Sequence, residues 1–222
     1  MRVVIAGGHG KIALILEKLL SDRGDAVAGF IRDPAQAADL AEVGAEALVV
    51  DQEKATSDEV AVQLTGADAV VFAAGAVPGG GSARKETVDR DAAVLLTDSA
   101  EAAGAGRYLL ISAMGDNLRA EPANFDEEFG VYIRAKAAAE DAIRARTALK
   151  ATIVRPGILG NEPGTGGVYL GDRAGTGPIP RADVAAVLLA LLDEPRLDGR
   201  ILEVIGGGDT RIADAVTALA AS

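Results

Sequence analysis

The feature that most constrains this chain is an alternation of short apolar runs with helical patterns through most of its 222 residues. A short apolar run bounded by turn residues is typical of a buried strand, and apolar positions three and four residues apart indicate a helix. Six such runs precede Pro156, at residues 3–6, 26–31, 47–50, 69–74, 107–112 and 151–155. Buried strands separated by helices predict βαβ units with right-handed crossovers. We therefore predict an α/β fold with a doubly wound parallel sheet.

The tail after Pro156 is less regular. Residues 160–180 are rich in Gly and Pro and predict a loop, followed by a helix at 181–192, a strand at 201–205 and a helix at 212–219. This segment is too short for an independent domain. We predict one domain, residues 1–222, in which residues 157–222 contribute a substrate-side loop and a small C-terminal lobe on the same sheet.

Charge and composition limit the partners. The formal net charge is −11, with 22 Lys and Arg against 33 Asp and Glu, which disfavours nucleic acid and anionic membranes. The chain has no cysteine and one histidine, so we expect no metal site and no thiolate catalysis. No apolar run approaches the roughly 18 residues of a spanning helix, and a strand pattern begins at once. We expect a cytoplasmic protein, a monomer or homodimer, that acts on a small molecule.

Glycines join the first strand to the first helix. Gly7-x-x-Gly10-x-x-Ala13 has the spacing of a dinucleotide-binding loop, with alanine in place of the last glycine. Gly7 allows a tight turn, and Gly10 allows a pyrophosphate to approach the free N–H groups of the helix. Ala13 allows close packing of the helix on the sheet. We include Lys11 and Ile12, at the helix start, among the candidate cofactor ligands, although Lys11 also suits a solvated position.

The end of the second strand bears on which dinucleotide is bound. An acidic residue there binds the adenosine ribose, whereas a basic residue accommodates a 2′-phosphate. Arg32 follows this strand, and its guanidinium matches phosphate with paired donors. The sequence favours NADP, while Asp33 keeps NAD open.

Later strand ends supply further candidate cofactor ligands. Asp51 and Gln52 follow the third strand, where Asp51 can accept from the adenine amino group or simply form a turn. Ala73, Ala74 and Gly75 end the fourth strand, and their small size leaves room for the ribose.

Three polar residues suggest acid–base chemistry. Tyr132 and Lys136 are four residues apart on a predicted helix, so both lie on one face. An ammonium close to a phenol favours the phenolate, which makes tyrosine a usable acid or base. Ser112 ends the fifth strand, where it can hydrogen-bond a substrate carbonyl or hydroxyl, or cap a turn.

These motifs occur in order and together resemble the short-chain dehydrogenase/reductase superfamily. The resemblance is to its atypical NAD(P)H-binding branch, related to NAD-dependent epimerases and dehydratases, and covers essentially the whole chain. It implies a Rossmann fold, Tyr132 as acid or base, Lys136 as its helper and ribose ligand, and Ser112 as the polarising hydroxyl. Asp89 matches the fourth catalytic position. The Pro156-Gly157 turn would place the backbone of Ile158 near the nicotinamide amide.

Several functions fit these residues. The first is an NADP-dependent oxidoreductase that transfers hydride between nicotinamide and a small carbonyl or alcohol. The alternatives are an NAD(P)-dependent epimerase or dehydratase, a non-catalytic NADP(H)-binding redox sensor, and a flavin or quinone reductase.

Overall fold

A computed structural model describes residues 1–75, 85–114, 127–146 and 148–222. Within these residues one sheet has nine strands in the order β11-β8-β10-β6-β5-β4-β1-β2-β3, and β7 pairs with β9 in a second, two-stranded sheet. The strands are β1 Arg2–Ala6, β2 Ala26–Ile31, β3 Glu46–Val49, β4 Ala69–Phe72, β5 Arg107–Ile111, β6 Ala151–Pro156, β7 Ile158–Gly160, β8 Gly167–Gly171, β9 Pro178–Pro180, β10 Ile201–Gly206 and β11 Thr210–Arg211.

Helices cover both faces of the sheet. In chain order the described α-helices are α1 Lys11–Arg23, α2 Ala37–Glu42, α3 Ser57–Gln63, α4 Ala92–Ala102, α5 Glu127–Arg144, α6 Arg181–Leu192 and α7 Ile212–Ala220. Short 3-10 turns occupy Pro34–Gln36 and Pro195–Leu197, and a π-helical segment, Lys85–Asp91, leads into α4. None of these helices is long and apolar enough to cross a membrane.

The sheet topology confirms the predicted fold class. Seven adjacent strands of the sheet, in the order β10-β6-β5-β4-β1-β2-β3, all pair in parallel with their neighbours in this series. Strand β1 lies between β2 and β4, so the chain reverses its direction of winding there. Ligands of open α/β sheets bind at such a switch point, beyond the carboxyl ends of the strands.

Alternate residues of each central strand enter opposite hydrophobic layers. Val3 and Ile5 of β1 pack in the layer that includes α1, α6 and α7, whereas Val4 packs in the layer that includes α3, α4 and α5. All three side chains are fully buried. Because strand side chains alternate between faces, this burial explains why the strands read as continuous apolar runs.

The C-terminal segment departs from the sequence prediction. Residues 160–180, expected to be a loop, contain β8 and β9, and β8 pairs antiparallel with β10 and β11. Most of β8 is only partly buried, so it lacks the apolar signature of the central strands. Earlier in the chain, the Ala-rich pattern at 86–103 predicts one continuous α-helix, but the structure is π-helical up to Asp91.

Candidate cofactor cleft and active site

The glycine loop between β1 and α1 is a close-packed turn. Gly7 has φ +79°, and a Cβ on it would lie 2.7 Å from Ala74 Cα. A Cβ on Gly8 would lie 2.7 Å from Gly29 Cα. Gly10 precedes the first helical residue and has no side chain to cap α1. The first-turn N–H groups of α1 are therefore left for another acceptor.

A cleft of about 510 Å³ opens beside this loop, across the ends of β1, β2, β3 and β4. We call this cleft the adenosine end, because the sequence predicts that it binds the adenosine part of the cofactor. It brings together eight predicted ligands: Gly7, Gly10, Arg32, Asp51, Gln52, Ala73, Ala74 and Gly75.

Other predicted cofactor ligands do not line this cleft. They are Lys11, Ile12, Lys136, Pro156, Gly157 and Ile158. The Ile12 side chain packs in the core, so only its backbone can face a ligand. Lys11 Nζ instead donates to Asn161 Oδ1 at 3.2 Å. Pro156 is buried in β6, and the Ile158 side chain is exposed.

Charged side chains at the adenosine end pair with neighbours on its rim. Arg32 Nη1 donates to Glu53 Oε2 at 2.8 Å, and more than half of the Arg32 side chain is exposed. Lys54 Nζ lies 2.8 Å from Asp51 Oδ2, and its hydrogen bond holds the pKa of Asp51 below the usual value. Solvent-exposed pairs of this kind contribute little to stability, so a ligand can displace them.

Two further polar groups lie at this end. His9 Nε2 is 2.6 Å from Asp39 Oδ2 of α2, so the single histidine ties the glycine loop to a neighbouring helix. Gln52 Nε2 is buried and, among the described residues, has no hydrogen-bond partner. A buried donor without an acceptor is costly, and a bound base or ribose would satisfy it. The glycine cradle and this orphaned amide fit a dinucleotide.

The four predicted catalytic residues form a second region, which we call the reaction end: Asp89, Ser112, Tyr132 and Lys136. Lys136 Nζ lies 3.1 Å from Asp89 Oδ1 and donates to the Ile111 carbonyl at 3.2 Å. Asp89 is fully buried and Lys136 is 3% exposed. Asp89 Oδ1 would also be 3.4 Å from a Cβ on Gly75, so this region adjoins the adenosine end.

Ser112 and Tyr132 complete the reaction end. Ser112 directly follows the carbonyl that Lys136 binds, and its backbone N–H donates to the Val154 carbonyl at 2.8 Å. Its Oγ is buried and has no hydrogen-bond partner in the described part of the chain, so it caps no turn there. Lys136 Nζ lies 5.9 Å from the centroid of the half-buried Tyr132 ring.

A buried ion pair fixes the helix that carries Tyr132 and Lys136. Glu140 of α5 is fully buried, and both its carboxylate oxygens accept hydrogen bonds from the Arg155 guanidinium of β6. Arg155 immediately precedes the Pro156-Gly157 turn, and the Pro156 carbonyl accepts from Met114 N at 3.1 Å. One pair therefore anchors α5 beside the segment predicted to face the nicotinamide.

Two buried carboxyls have roles that the sequence analysis did not anticipate. Burial raises the pKa of Glu17 to about 8, and neither of its oxygens has a partner within the described ranges. The sequence places Asp183 in the first turn of α6, where an aspartate can cap the helix, but its carboxylate instead accepts from Thr165 and from Gly166 N. Glu17 was detectable, because it interrupts the apolar stripe of α1. The partners of Asp183 could not be detected in the sequence, because they are distant from it along the chain.

The sequence profile described as NAD(P)H-binding matches residues 7–195. The chain belongs to this NAD(P)H-binding family. It is 35% identical over 220 residues to the uncharacterized sugar epimerase YhfK of Bacillus subtilis, a match that covers 99% of this chain and all of YhfK.

Solved structures agree with this assignment to the NAD(P)H-binding family. A putative NAD-dependent epimerase/dehydratase from Bacillus halodurans has a TM-score of 0.88 and 34% identity, covering 99% of this chain and 100% of that one. The oxidoreductase ylbE from Lactococcus lactis has a TM-score of 0.87 and 26% identity, covering 100% and 98%. The resemblance to the atypical short-chain dehydrogenase/reductase branch is confirmed. The protein is an NAD(P)H-binding enzyme of the oxidoreductase and epimerase type.

Proposed function

We propose that this protein is an NADP-dependent oxidoreductase that interconverts a small carbonyl and the corresponding alcohol. The observation that carries the proposal is the buried Ser112 Oγ, which has no hydrogen-bond partner among the described residues and lies next to the buried Lys136–Asp89 pair. Burying such groups is costly, and polar groups kept in this state are typical of a site that satisfies them only with substrate.

Each residue of the reaction end has a distinct proposed role. When bound, the nicotinamide supplies hydride exchange with the substrate carbon. Ser112 donates a hydrogen bond to the substrate oxygen, and Tyr132 exchanges a proton with the same oxygen. Lys136 holds its ammonium beside the Tyr132 ring, 5.9 Å from the ring centroid. Asp89 and the Ile111 carbonyl keep that ammonium in place.

The preference for NADP is part of this proposal. Arg32 lines the cleft at the end of β2, and its Nη1 lies 2.8 Å from Glu53 Oε2. A 2′-phosphate carries more charge than one carboxylate and binds a guanidinium through paired hydrogen bonds. It would therefore compete well with Glu53.

NADPH oxidation against a panel of small aldehydes, ketones and quinones tests the proposed reaction. Tyr132→Phe should lower kcat by about 100-fold or more, since it removes the proton donor, and should leave the NADPH dissociation constant within about twofold. Tyr108→Phe is the matched control, because it deletes the hydroxyl of a buried tyrosine outside the reaction end, which donates to the Ala93 carbonyl. Full activity in Tyr132→Phe would contradict the proposal.

An epimerase or dehydratase is the second candidate. The names of the Bacillus relatives favour it, and the same acid–base residues would serve it. In that case the cofactor is regenerated in each cycle, so it should remain bound through purification and no net NADPH oxidation should occur. Nucleotide released from the purified protein by heat denaturation, and quantified in its oxidised and reduced forms, separates the two candidates.

A further inference from the structure

Two cations on different elements converge on one amide oxygen beside the glycine loop. Lys11 Nζ lies 3.2 Å from Asn161 Oδ1, and Arg181 Nη1 lies 2.9 Å from the same atom. We call these residues the Lys11–Asn161–Arg181 cluster. Arg181 Nη1 also donates to the carbonyls of Gly160 and Leu159 at 3.1 and 3.3 Å.

Neither cation of this cluster forms an ion pair within the described residues, although the Glu162 carboxylate lies beside Gly160. Both nitrogens contact the same oxygen, at 3.2 and 2.9 Å, so they are at most about 6 Å apart. Within the described ranges neither has a carboxylate oxygen within 4.0 Å, although Arg107, Arg146 and Arg155 are all ion-paired. Two like charges at this distance repel, and a neutral amide offsets this only in part. Because the whole chain carries a net charge of −11, two adjacent cations stand out against its mainly acidic composition.

The cluster also has donors to spare. In the described part of the chain only Nη1 of the Arg181 guanidinium meets an acceptor, which leaves Nε and Nη2 available. Nε and Nη2 form one edge of the guanidinium fork and match two oxygens of a phosphate or carboxylate. Lys11 Nζ can contribute a third contact.

Its position separates the cluster from the adenosine end. None of its three residues lines that cleft. Lys11 follows the glycine loop, and Asn161 follows β7, whose first residue donates to the Gly177 carbonyl at 3.0 Å. Pairing of β7 with β9 brings Arg181 beside Asn161. The cluster therefore lies between the glycine loop and the strand that leaves the Pro156-Gly157 turn.

We propose that the Lys11–Asn161–Arg181 cluster binds a phosphate or carboxylate group of the substrate. The proposal names a substrate class for the proposed function, on which it rests, and it adds Asn161 and Arg181 to the binding site. A substrate with an anionic group would be held through that group while its carbonyl or alcohol lies at the reaction end.

Titration with inorganic phosphate, followed by amide shifts in ¹H–¹⁵N spectra at fixed ionic strength, tests this site. The protein is titrated alone and when saturated with NADP. We expect shifts at Lys11 and Asn161 in both states, and a phosphate dissociation constant raised roughly tenfold by Arg181→Gln or Lys11→Gln. Arg211→Gln is the matched control, since Arg211 is exposed and lies at the N-terminus of α7, as Arg181 lies at the N-terminus of α6. The same spectra show whether each variant is folded.

Three outcomes would overturn the inference. One is the absence of phosphate binding in both states, and another is equal binding by Arg181→Gln and the parent protein. The third is phosphate binding that disappears on saturation with NADP, which would assign the cluster to the cofactor pyrophosphate. A failure to bind NADP would contradict the proposed function instead, and the titration without NADP would still report on the cluster.

Discussion

The two ends of the site differ in where their charged side chains lie. At the adenosine end, the charged side chains of Arg32 and Asp51 lie on the rim and pair with Glu53 and Lys54. At the reaction end, Lys136 and Asp89 are buried together, and the Ser112 hydroxyl is buried without a partner in the described chain. The first end relies on backbone shape with replaceable surface charges, whereas the second depends on a few buried groups.

This difference has an energetic consequence. Exposed ion pairs contribute about 0–1 kcal/mol, so the rim can change its charges at little cost in stability. Removing one partner of a buried pair leaves an uncompensated charge, which costs about 3–5 kcal/mol. Substitutions at the reaction end should therefore affect stability and turnover together, while substitutions at the rim should affect cofactor selectivity alone.

Lys136→Met should have the largest effect on stability. It leaves the Asp89 carboxylate buried without its ammonium, so the free energy of unfolding should fall by about 3–5 kcal/mol in urea titrations. The double variant with Asp89→Asn should recover part of this loss but no activity. Arg32→Gln should change stability by less than about 0.5 kcal/mol. If Lys136→Met were as stable as the parent protein, the contrast between the two ends would be wrong.

Glu17→Gln should stabilise the protein increasingly as pH rises. The folded protein holds the Glu17 proton up to about pH 8, whereas the unfolded chain releases it near 4.5. Between these values the folded state binds the extra proton, so stability of the parent protein falls with pH by about 1.4 kcal/mol per unit. The variant lacks this loss. Thermal unfolding at pH 5, 6.5 and 8 should show a growing difference, and a constant difference would contradict the account.

Gly7→Ala should weaken cofactor binding by about 100-fold, or roughly 2.7 kcal/mol. The new Cβ would lie 2.7 Å from Ala74 Cα in the cleft wall, in addition to the strain of φ +79°. Gly66→Ala is the control, because Gly66 has φ +74° and open space around it. Calorimetry with NADPH should separate the two variants, and equal losses of affinity would show that the close contact is unimportant.

The central strands at the cleft, β1, β2 and β4, could be predicted from the sequence because they are buried on both faces. The predicted bounds of β2 and α6 are those of the structure. Strand β8 was missed because it is only partly buried and depends on its antiparallel neighbours. The π-helical geometry of Lys85–Asp91 was missed because the sequence pattern there is that of an ordinary helix.

The parts of the candidate site that lie within a single local motif could be predicted from the sequence. The glycine spacing, Arg32 and the Tyr132–Lys136 pair are all local signals. The Lys11–Asn161–Arg181 cluster joins residues 150 and 20 positions apart, so only tertiary structure reveals it.

The most direct test of the account is titration calorimetry of the apo protein with NADPH and NADH, for the parent protein and Arg32→Gln. The account predicts that the parent protein binds NADPH about tenfold more tightly than NADH, a difference of about 1.4 kcal/mol, and that Arg32→Gln abolishes the difference. Equal affinity for both dinucleotides would remove the proposed role of Arg32. No binding of either would contradict the assignment of the cleft as the cofactor site.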